Sequence, residues 1–401
     1  METKKTNDQY TWWGAPKKFS TDFEERKISW LELFYDLIYV IAIATITHHV
    51  SEHLNFAGML DFFYLFTMIF WGWLNGSLYH DLHGTTGLRT KLMTLWQMMI
   101  VAALVITLNT SMTNFIFNST IVVMIMQFYI TYLWWSVGIY DKAHRKLNAP
   151  YTVLYLLSLA LMFVSLFVEQ EYVRPIFYLT LVLNYLPPFI TQTVLKRKTM
   201  ELNLSSSMTE RLGLFTIIIF GEVVLGVISG TKSLNELNGM IWINFGLGIG
   251  IVFSLWWLFF TLVSDRNCKS GFIKASLLEI LYIPTLLGLV LLGAAFRSVF
   301  TGGSQPDHHA EVVCTFGYSL SLFLLGVSAL LAFLQYPKHY IKLKKETQGL
   351  FVLTAILFFV LARLHLQVSI TFYLILIQII FLILIVILNV RWYRLYVREK
   401  K

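Results

Sequence analysis

Acidic residues inside long apolar stretches are the groups in this sequence that could do chemistry. Glu32 and Asp36 lie four positions apart, which places both on one face of a helix. Glu222 follows Gly221 near the middle of another apolar stretch. A carboxylate in lipid is costly unless it is paired or hydrated, so each of these groups is a candidate proton or cation site. Two carboxylates at the spacing of Glu32 and Asp36 repel if both ionise, and one of them could retain its proton.

Each of these carboxylates also has a structural interpretation. Glu32 and Asp36 could form an interfacial pair that a basic side chain clamps for helix packing. The basic candidates are Arg26, Lys27 and Arg211. Glu222 could serve as a buried hydrogen-bond acceptor. The sequence leaves both interpretations open.

Neutral polar residues add a second set of candidates. Gln97, Gln127 and Asn184 lie in apolar stretches and could hydrogen-bond across helices. Asn184 precedes Pro187-Pro188, which should kink or break its helix and free carbonyl groups. Such breaks often line the substrate path of transporters, although ordinary bundles contain them too. The candidates for lining a pathway are Asn184, Gln97, Trp73 and Trp256.

The composition predicts that lipid surrounds the elements that carry these residues. Of 401 residues 57% are hydrophobic and 13% are charged, against about 25% charged in a soluble domain. One aqueous core cannot hold so much apolar surface, so we predict an all-α, polytopic integral membrane bundle in a lipid bilayer. The net charge is +8, but the charges lie between apolar runs. Without a folded basic domain or an aromatic stacking motif, nucleic-acid binding is excluded.

Apolar runs long enough to cross a bilayer recur along the whole chain. A span needs about 20 mostly apolar residues, and the polar breaks divide the chain into twelve. The predicted spans are 29–49, 57–79, 90–110, 117–138, 150–168, 173–195, 211–231, 239–263, 274–296, 313–335, 348–364 and 367–390. The eleventh span is short and the loop after it is tight.

The distribution of Lys and Arg supports the number of spans and orients them. If the amino end is cytoplasmic, all but four of the 31 basic residues fall in cytoplasmic segments or at cytoplasmic span ends. The four external residues are Arg174, Lys232, Arg297 and Arg363. A wrong number of spans would disturb this alternation, so we expect twelve spans with both termini in the cytoplasm.

A short repeat suggests how the spans are organised. The segments 31–34 (Leu-Glu-Leu-Phe) and 212–215 (Leu-Gly-Leu-Phe) open the first and seventh spans, although apolar residues match easily by chance. A six-span offset with unchanged orientation indicates two parallel halves. The expected divisions are a cytoplasmic segment 1–28, a six-helix half 29–195, a linker 196–210, a second half 211–390 and a basic tail 391–401.

Signals for enzymes and bound cofactors are missing from the sequence. Cys268 and Cys314 fall on opposite predicted sides of the membrane, which argues against a disulfide or a thiol mechanism. No Ser-His-Asp order, zinc signature or phosphate loop is present. We therefore expect no cofactor and no metal, and a protein that is not an enzyme. The expected partners are the bilayer and a small ion or small molecule, and a homo-oligomer is compatible with the sequence.

Two segments carry a resemblance to a known family. Residues 30–40 (Trp-Leu-Glu-Leu-Phe-Tyr-Asp-Leu-Ile-Tyr-Val) and 210–215 (Glu-Arg-Leu-Gly-Leu-Phe), continuing to Gly221 and Glu222, resemble the two signatures of the bacterial low temperature requirement A proteins. Other similar residues are Trp73, Tyr79, Gln97, Met98 and 256–260. The resemblance covers nearly the whole chain and implies a multi-pass protein of the bacterial cytoplasmic membrane with a role in growth in the cold. It supplies no substrate and no reaction.

Some positions depart from the family pattern. Ser207, Asn184, Thr261 and Tyr282 stand where the family often has His or Asp, so a proton relay built from those groups would be incomplete here. The residues that remain are Glu32, Asp36, Glu210, Arg211 and Glu222. They form the predicted transport or ion site.

The leading hypothesis from the sequence is a transporter or ion-conducting protein. Arg211 would lie near Glu32 and Asp36 as a cytoplasmic ion-pair gate, and protonation of Glu222 would couple to its opening. The first alternative is a non-transporting membrane scaffold or cold-stress factor. The second is an enzyme that acts on a membrane substrate, for which Glu32, Asp36 and Arg211 are the only clustered candidates and no nucleophile accompanies them.

Overall fold

Thirteen α-helices account for nearly all of the chain that the computed structural model describes. The described residues are 15–18, 27–52, 56–85, 87–108, 115–142, 145–195, 204–232, 239–264, 266–301, 306–364 and 368–399. The first seven helices are α1 (Trp30–Glu52), α2 (Phe56–His83), α3 (Leu88–Leu108), α4 (Phe115–Tyr140), α5 (Arg145–Ser165), α6 (Gln170–Tyr185) and α7 (Pro187–Leu195). The others are α8 (Ser206–Lys232), α9 (Gly239–Leu262), α10 (Phe272–Thr301), α11 (Pro306–Phe333), α12 (Ile341–Arg363) and α13 (Ile370–Glu399).

These helices have the length and composition of membrane spans. Eleven single helices of the described chain are long and apolar enough to cross a bilayer, and α6 and α7 together form a twelfth candidate with a bend of 46°. Helices suit this environment because their backbone groups bond within the segment and need no water. The predicted all-α polytopic bundle is confirmed. Most of the predicted segment 1–28 and linker 196–210, with residues 400–401 of the tail, lie outside the described residues.

The break between α6 and α7 lies where the sequence predicts it. The first helix ends at Tyr185 and the second begins at Pro187, so only Leu186 separates them. Pro187 and Pro188 have no backbone N–H to donate, and each ring clashes with the preceding turn. The prediction of a broken helix after Asn184 is confirmed.

The chain divides into two compact units, each described here by itself. The first unit comprises residues 1–42 and 70–200, and the second comprises 43–69 and 201–401. In the first unit α3 packs on α4, α4 on α5, and α5 on α6 and α7. In the second unit α8 packs on α9 and α10, α10 on α11, α11 on α12, and α9 on α13. The expected six-helix halves 29–195 and 211–390 stay a prediction.

Large apolar side chains cover the outer faces of several helices. Trp96 and Ile106 of α3, Leu353 of α12 and Val386 of α13 are all more than half exposed. A protein surrounded by water rarely exposes such surface continuously. In a bilayer these faces contact acyl chains, which leaves the helix interiors to hold the polar residues.

Candidate functional site

The start of α1 uses Glu32 as a helix cap. The Glu32 carboxylate accepts hydrogen bonds from the Ser29 backbone N–H (2.9 Å) and from the Ser29 hydroxyl (2.8 Å). In return the Glu32 N–H donates to Ser29 Oγ at 3.3 Å. This reciprocal pattern is a capping box, whose sequence signal is Ser followed three residues later by Glu. The interpretation of Glu32 from the sequence missed that signal, although it stands in residues 29–32.

Asp36 is fully buried one helical turn after Glu32. Its Oδ1 accepts a hydrogen bond from the indole Nε1 of Trp73 at 2.7 Å, across from α1 to α2. An indole nitrogen can only donate, so it fixes this carboxylate oxygen as an acceptor. Asp36 of the first signature therefore contacts Trp73, which their separation along the chain does not reveal.

Beside Asp36, polar side chains from α1 and α3 approach the backbone of α2. Gln97 Nε2 donates to Tyr39 Oη (2.8 Å) and to the Gly72 carbonyl (3.0 Å), and the Tyr35 hydroxyl donates to the Trp73 carbonyl (3.2 Å). A Cβ at Gly76 would collide with the Tyr35 hydroxyl and would lie 2.6 Å from Gln97 Oε1. A larger residue at position 76 would have to displace the ends of these two side chains, so glycine favours their close approach to α2. The predicted hydrogen bonding of Gln97 across helices is confirmed.

Arg89, at the start of α3, forms a buried cationic site that the sequence did not indicate. Its side chain is 5% exposed, and it donates to the Tyr79 hydroxyl (3.0 Å) and to Ser136 Oγ (3.3 Å). One turn away His80 Nε2 and Thr94 Oγ1 are 2.7 Å apart. Among the residues that the structure describes, no carboxylate is paired with Arg89. Arg89 stands at the edge of an apolar run, so the sequence predicts an interfacial charge there. None of the neighbouring residues in the sequence indicates that its side chain is buried.

An amide pair joins α4 to the break after α6. Gln127 Nε2 donates to Asn184 Oδ1 at 3.0 Å, and Asn184 Nδ2 donates to Gln127 Oε1 at 2.9 Å. In an unbroken helix the Asn184 carbonyl would accept from residue 188, which is a proline without an N–H. Trp71 Nε1 donates to that carbonyl instead, at 3.1 Å. The side chains around the break thus satisfy groups that the prolines free.

Asn75 extends this amide network toward α5. Its Oδ1 accepts hydrogen bonds from the Tyr155 hydroxyl (2.8 Å) and from Trp134 Nε1 (3.0 Å), and its Nδ2 donates to the Trp71 carbonyl (3.0 Å). Both the oxygen and the nitrogen of the Asn75 amide therefore form hydrogen bonds of normal length. These bonds connect α2, α4 and α5 beside the amide pair of Gln127 and Asn184, and the assignment of Asn184 to a transport pathway stays a prediction.

The second unit holds an ion pair between α8 and α10. Arg297 Nη2 lies 3.3 Å from Glu222 Oε1, and the two side chains are 14% and 6% exposed. Both residues lie within apolar candidate spans. From the sequence Arg297 was assigned to the external side, since a count of basic residues uses only position along the chain. The structure shows that it reaches Glu222, so Arg297 is a site residue that the sequence missed.

Glycine contacts hold α8 and α10 together beside this pair. A Cβ at Gly226 would collide with the Gly293 carbonyl oxygen, and a Cβ at Gly293 would lie 3.3 Å from Val223 Cα. Gly226 follows Glu222 by four residues and Gly293 precedes Arg297 by four, so each charge lies one turn from the crossing. Small residues at a crossing let helix backbones touch. The ion pair therefore lies about one helical turn from a backbone contact between α8 and α10.

The other predicted site residues have different surroundings. Arg211 is buried in the second turn of α8, whereas its neighbour Glu210 is exposed. The predicted approach of Arg211 to Glu32 and Asp36 would join the two units and stays a prediction. Trp256 packs between Phe253 and Phe260, with ring centroids 5.6 and 5.5 Å away. Within the described ranges no three His, Cys, Asp or Glu residues are grouped to hold a metal ion.

Comparison with known proteins identifies a family. The family model described as "Bacterial low temperature requirement A protein (LtrA)" matches residues 27–388. No curated protein and no solved structure matches the chain. The matched range contains the capping box of α1, the polar network of the first unit and the Glu222–Arg297 pair.

Proposed function

The chain belongs to the bacterial low temperature requirement A family, and we propose that this multi-pass membrane protein transports or conducts a small ion through protonation of Glu222. The observation that carries the proposal is the ion pair between Glu222 and Arg297 at a glycine crossing inside apolar spans. The family's name implies growth in the cold, and we propose that ion movement by this protein contributes to it.

A buried ion pair is an unusual choice if stability alone is required. Well-packed apolar residues of similar volume often stabilise a fold as much as a buried pair or more, whereas removing one partner leaves an uncompensated charge. Protonation of Glu222 neutralises the carboxylate that Arg297 contacts at 3.3 Å, which weakens the attraction between α8 and α10. The packing of the two helices at this point then changes. Binding of one proton is thereby coupled to helix packing.

The first unit favours a second candidate function. Glu32 caps a helix, Asp36 accepts from Trp73, and the amides of Gln127 and Asn184 bond to each other. These contacts suit a rigid scaffold better than a moving gate. A non-transporting membrane scaffold or cold-stress factor is the alternative on this ground, and it assigns the Glu222–Arg297 pair to packing.

Proton flux separates these two functions. The full chain is reconstituted in liposomes that contain a pH-sensitive dye, and the internal pH is followed after an imposed pH gradient. We expect flux above that of protein-free liposomes, and its loss in Glu222→Gln. The matched control is Glu346→Gln, because Glu346 pairs with Arg391 at 2.8 Å but both side chains are well exposed. The control should keep wild-type flux.

Two outcomes would reject transport through Glu222. One is wild-type protein that moves protons no faster than protein-free liposomes across the accessible pH range. The other is Glu222→Gln protein with wild-type flux. A Glu222→Gln protein that unfolds at lower temperature but has unchanged flux would support the scaffold.

A further inference from the structure

A short loop pairing in the second unit holds the end of α11 against the segment that follows α9. The Lys269 N–H donates to the Phe333 carbonyl at 2.8 Å, and the Gln335 N–H donates to the Asn267 carbonyl at 2.9 Å. The Gln335 side chain adds a bond from its Nε2 to the Cys268 carbonyl at 2.8 Å. Backbone bonds in both directions fix the two segments side by side, so the side chains that leave this loop start from defined positions.

Two lysines converge on the C-terminal end of α11. Lys269 Nζ donates to the Ala332 carbonyl at 2.8 Å, and Lys344 Nζ, from the start of α12, donates to the Leu334 carbonyl at 3.0 Å. Carbonyl groups at a helix end lack helical donors, so each ammonium group is a favourable cap. The two caps also repel each other, because the charge of Lys269 acts on Lys344.

A third basic side chain joins the lysines at the ring of Tyr336. Arg266 Cζ lies 4.8 Å from the centre of this ring, and Lys344 Nζ lies 5.4 Å from the same point. Three positive charges, those of Arg266, Lys269 and Lys344, are thus placed around the end of one helix. Within the described part of the chain, no carboxylate forms a salt bridge with any of the three.

The positive charge at this helix end exceeds what the protein offers against it. A helix C-terminus carries about −0.5 of an elementary charge, against three cations here. Glu279 of α10 acts electrostatically on Cys268 in the same loop, and its charge still leaves an excess of about +1.5. A phosphate monoester carries about −1.5 to −2 at neutral pH, which matches that excess. A carboxylate or a phosphate diester carries a single negative charge and balances less of it.

We propose that Arg266, Lys269 and Lys344 bind the phosphate group of a phosphate monoester at the predicted cytoplasmic side of the second unit. Each ammonium group has three donors and gives one to α11 in the bonds described, so donors remain for an oxyanion. The planar guanidinium of Arg266 matches the geometry of a phosphate. The same group occurs in a soluble ester and in the headgroup of phosphatidic acid. This binding does not depend on proton movement through Glu222.

The direct test measures phosphate binding by the purified full chain in neutral detergent. Glycerol 3-phosphate, short-chain phosphatidic acid and short-chain phosphatidylglycerol are titrated separately at matched ionic strength by isothermal titration calorimetry. We expect saturable binding of the monoesters and weaker binding of the diester phosphatidylglycerol. Equal affinity for the two monoesters would identify a soluble ester as sufficient, and much tighter phosphatidic acid would identify a lipid. No saturable binding of either monoester, or a diester bound as tightly, would overturn the proposal.

Charge variants locate the site. Lys269→Gln with Lys344→Gln should weaken monoester binding about tenfold or more. Because both lysines also cap α11, Arg266→Gln is a second variant that leaves those caps in place, and it should weaken binding about threefold or more. The matched control is Lys342→Gln with Lys345→Gln, which removes two exposed charges from the start of α12 and should leave the affinity unchanged. Equal weakening in this control, or wild-type affinity in Arg266→Gln and in the double lysine variant, would contradict the assignment.

Discussion

The two units bury polar groups in different ways. In the first unit most buried contacts join neutral donors and acceptors, as in the Gln127–Asn184 amide pair and the hydrogen bond from Gln97 to Tyr39. In the second unit the described salt bridge inside the spans joins two formal charges, Glu222 and Arg297. Both arrangements satisfy polar groups in a place where water is scarce.

The difference concerns how each arrangement responds to a proton. An amide pair has no group that titrates near neutral pH, so its geometry is the same across the physiological range. A carboxylate can be neutralised, and its attraction for the partner cation is then lost. The first unit is therefore suited to hold a shape, and the second contains the element whose packing a change in protonation would alter.

The largest expected effect comes from removing one charge of the ion pair. Glu222→Leu or Arg297→Leu should each lower the free energy of unfolding by about 3 kcal/mol, because the remaining buried charge loses this ion-pair contact. The double variant should recover most of that loss. The free energies of unfolding of the wild type, the two single variants and the double variant are measured in detergent and form a double-mutant cycle. The reference is the exposed pair of Glu346 and Arg391, whose interaction energy in the same kind of cycle should stay below about 1 kcal/mol. Additive losses at Glu222 and Arg297 would show that the two residues do not interact.

A smaller effect is expected from adding one methyl group at the crossing of α8 and α10. Gly226→Ala should lower the free energy of unfolding by about 2 kcal/mol, because the Cβ meets the Gly293 backbone and the helices must separate. The control is Gly221→Ala in the same helix, where a Cβ meets nothing within 4 Å. That substitution should be neutral or stabilise by up to about 1 kcal/mol. Equal effects at the two glycines would mean that the backbones are not in contact.

The smallest expected effect tests whether the first unit also holds a buried negative charge, at Asp36. Trp73→Phe removes the donor to Asp36 and should cost about 1.5 kcal/mol if the acceptor is ionised, since hydrogen bonds to charged groups contribute more than neutral ones. The control is Trp256→Phe, which removes the same aromatic area from a ring that packs on Phe253 and Phe260. A difference between the two variants well below about 1 kcal/mol would indicate a protonated Asp36, and the contrast between the units would become sharper.

Local signals in the sequence predicted most of the fold. Each span is a continuous apolar run between polar breaks, and the Pro187-Pro188 step identifies the bent one, so the eleven single spans and the bent pair all overlap the predicted ones. The predicted short span 348–364 was wrong in its start, because α12 begins at Ile341 and its first turns carry lysines that end an apolar run. The capping box at Ser29 and Glu32 is equally local and was readable, although it was missed. Such features depend on residues that are neighbours in the chain.

The partners of the site residues could not be predicted in the same way. Asn184 and Gln127 are 57 residues apart, and Arg297 and Glu222 are 75 apart, so their contacts depend on which helices pack together. The Arg297 side chain is also long, so its backbone position alone does not locate its charge. A single sequence marks such residues as candidates and leaves their partners open.

The broken span also constrains how the protein enters the membrane. The segments Gln170–Tyr185 and Pro187–Leu195 are each shorter than about 20 residues, so neither crosses the hydrocarbon alone. The carbonyl and amide of Asn184 are satisfied by Trp71 and Gln127, which both precede it in the chain. During synthesis these two partners leave the ribosome first. The sixth span can therefore be completed as soon as it emerges, on a surface that the earlier helices have already built.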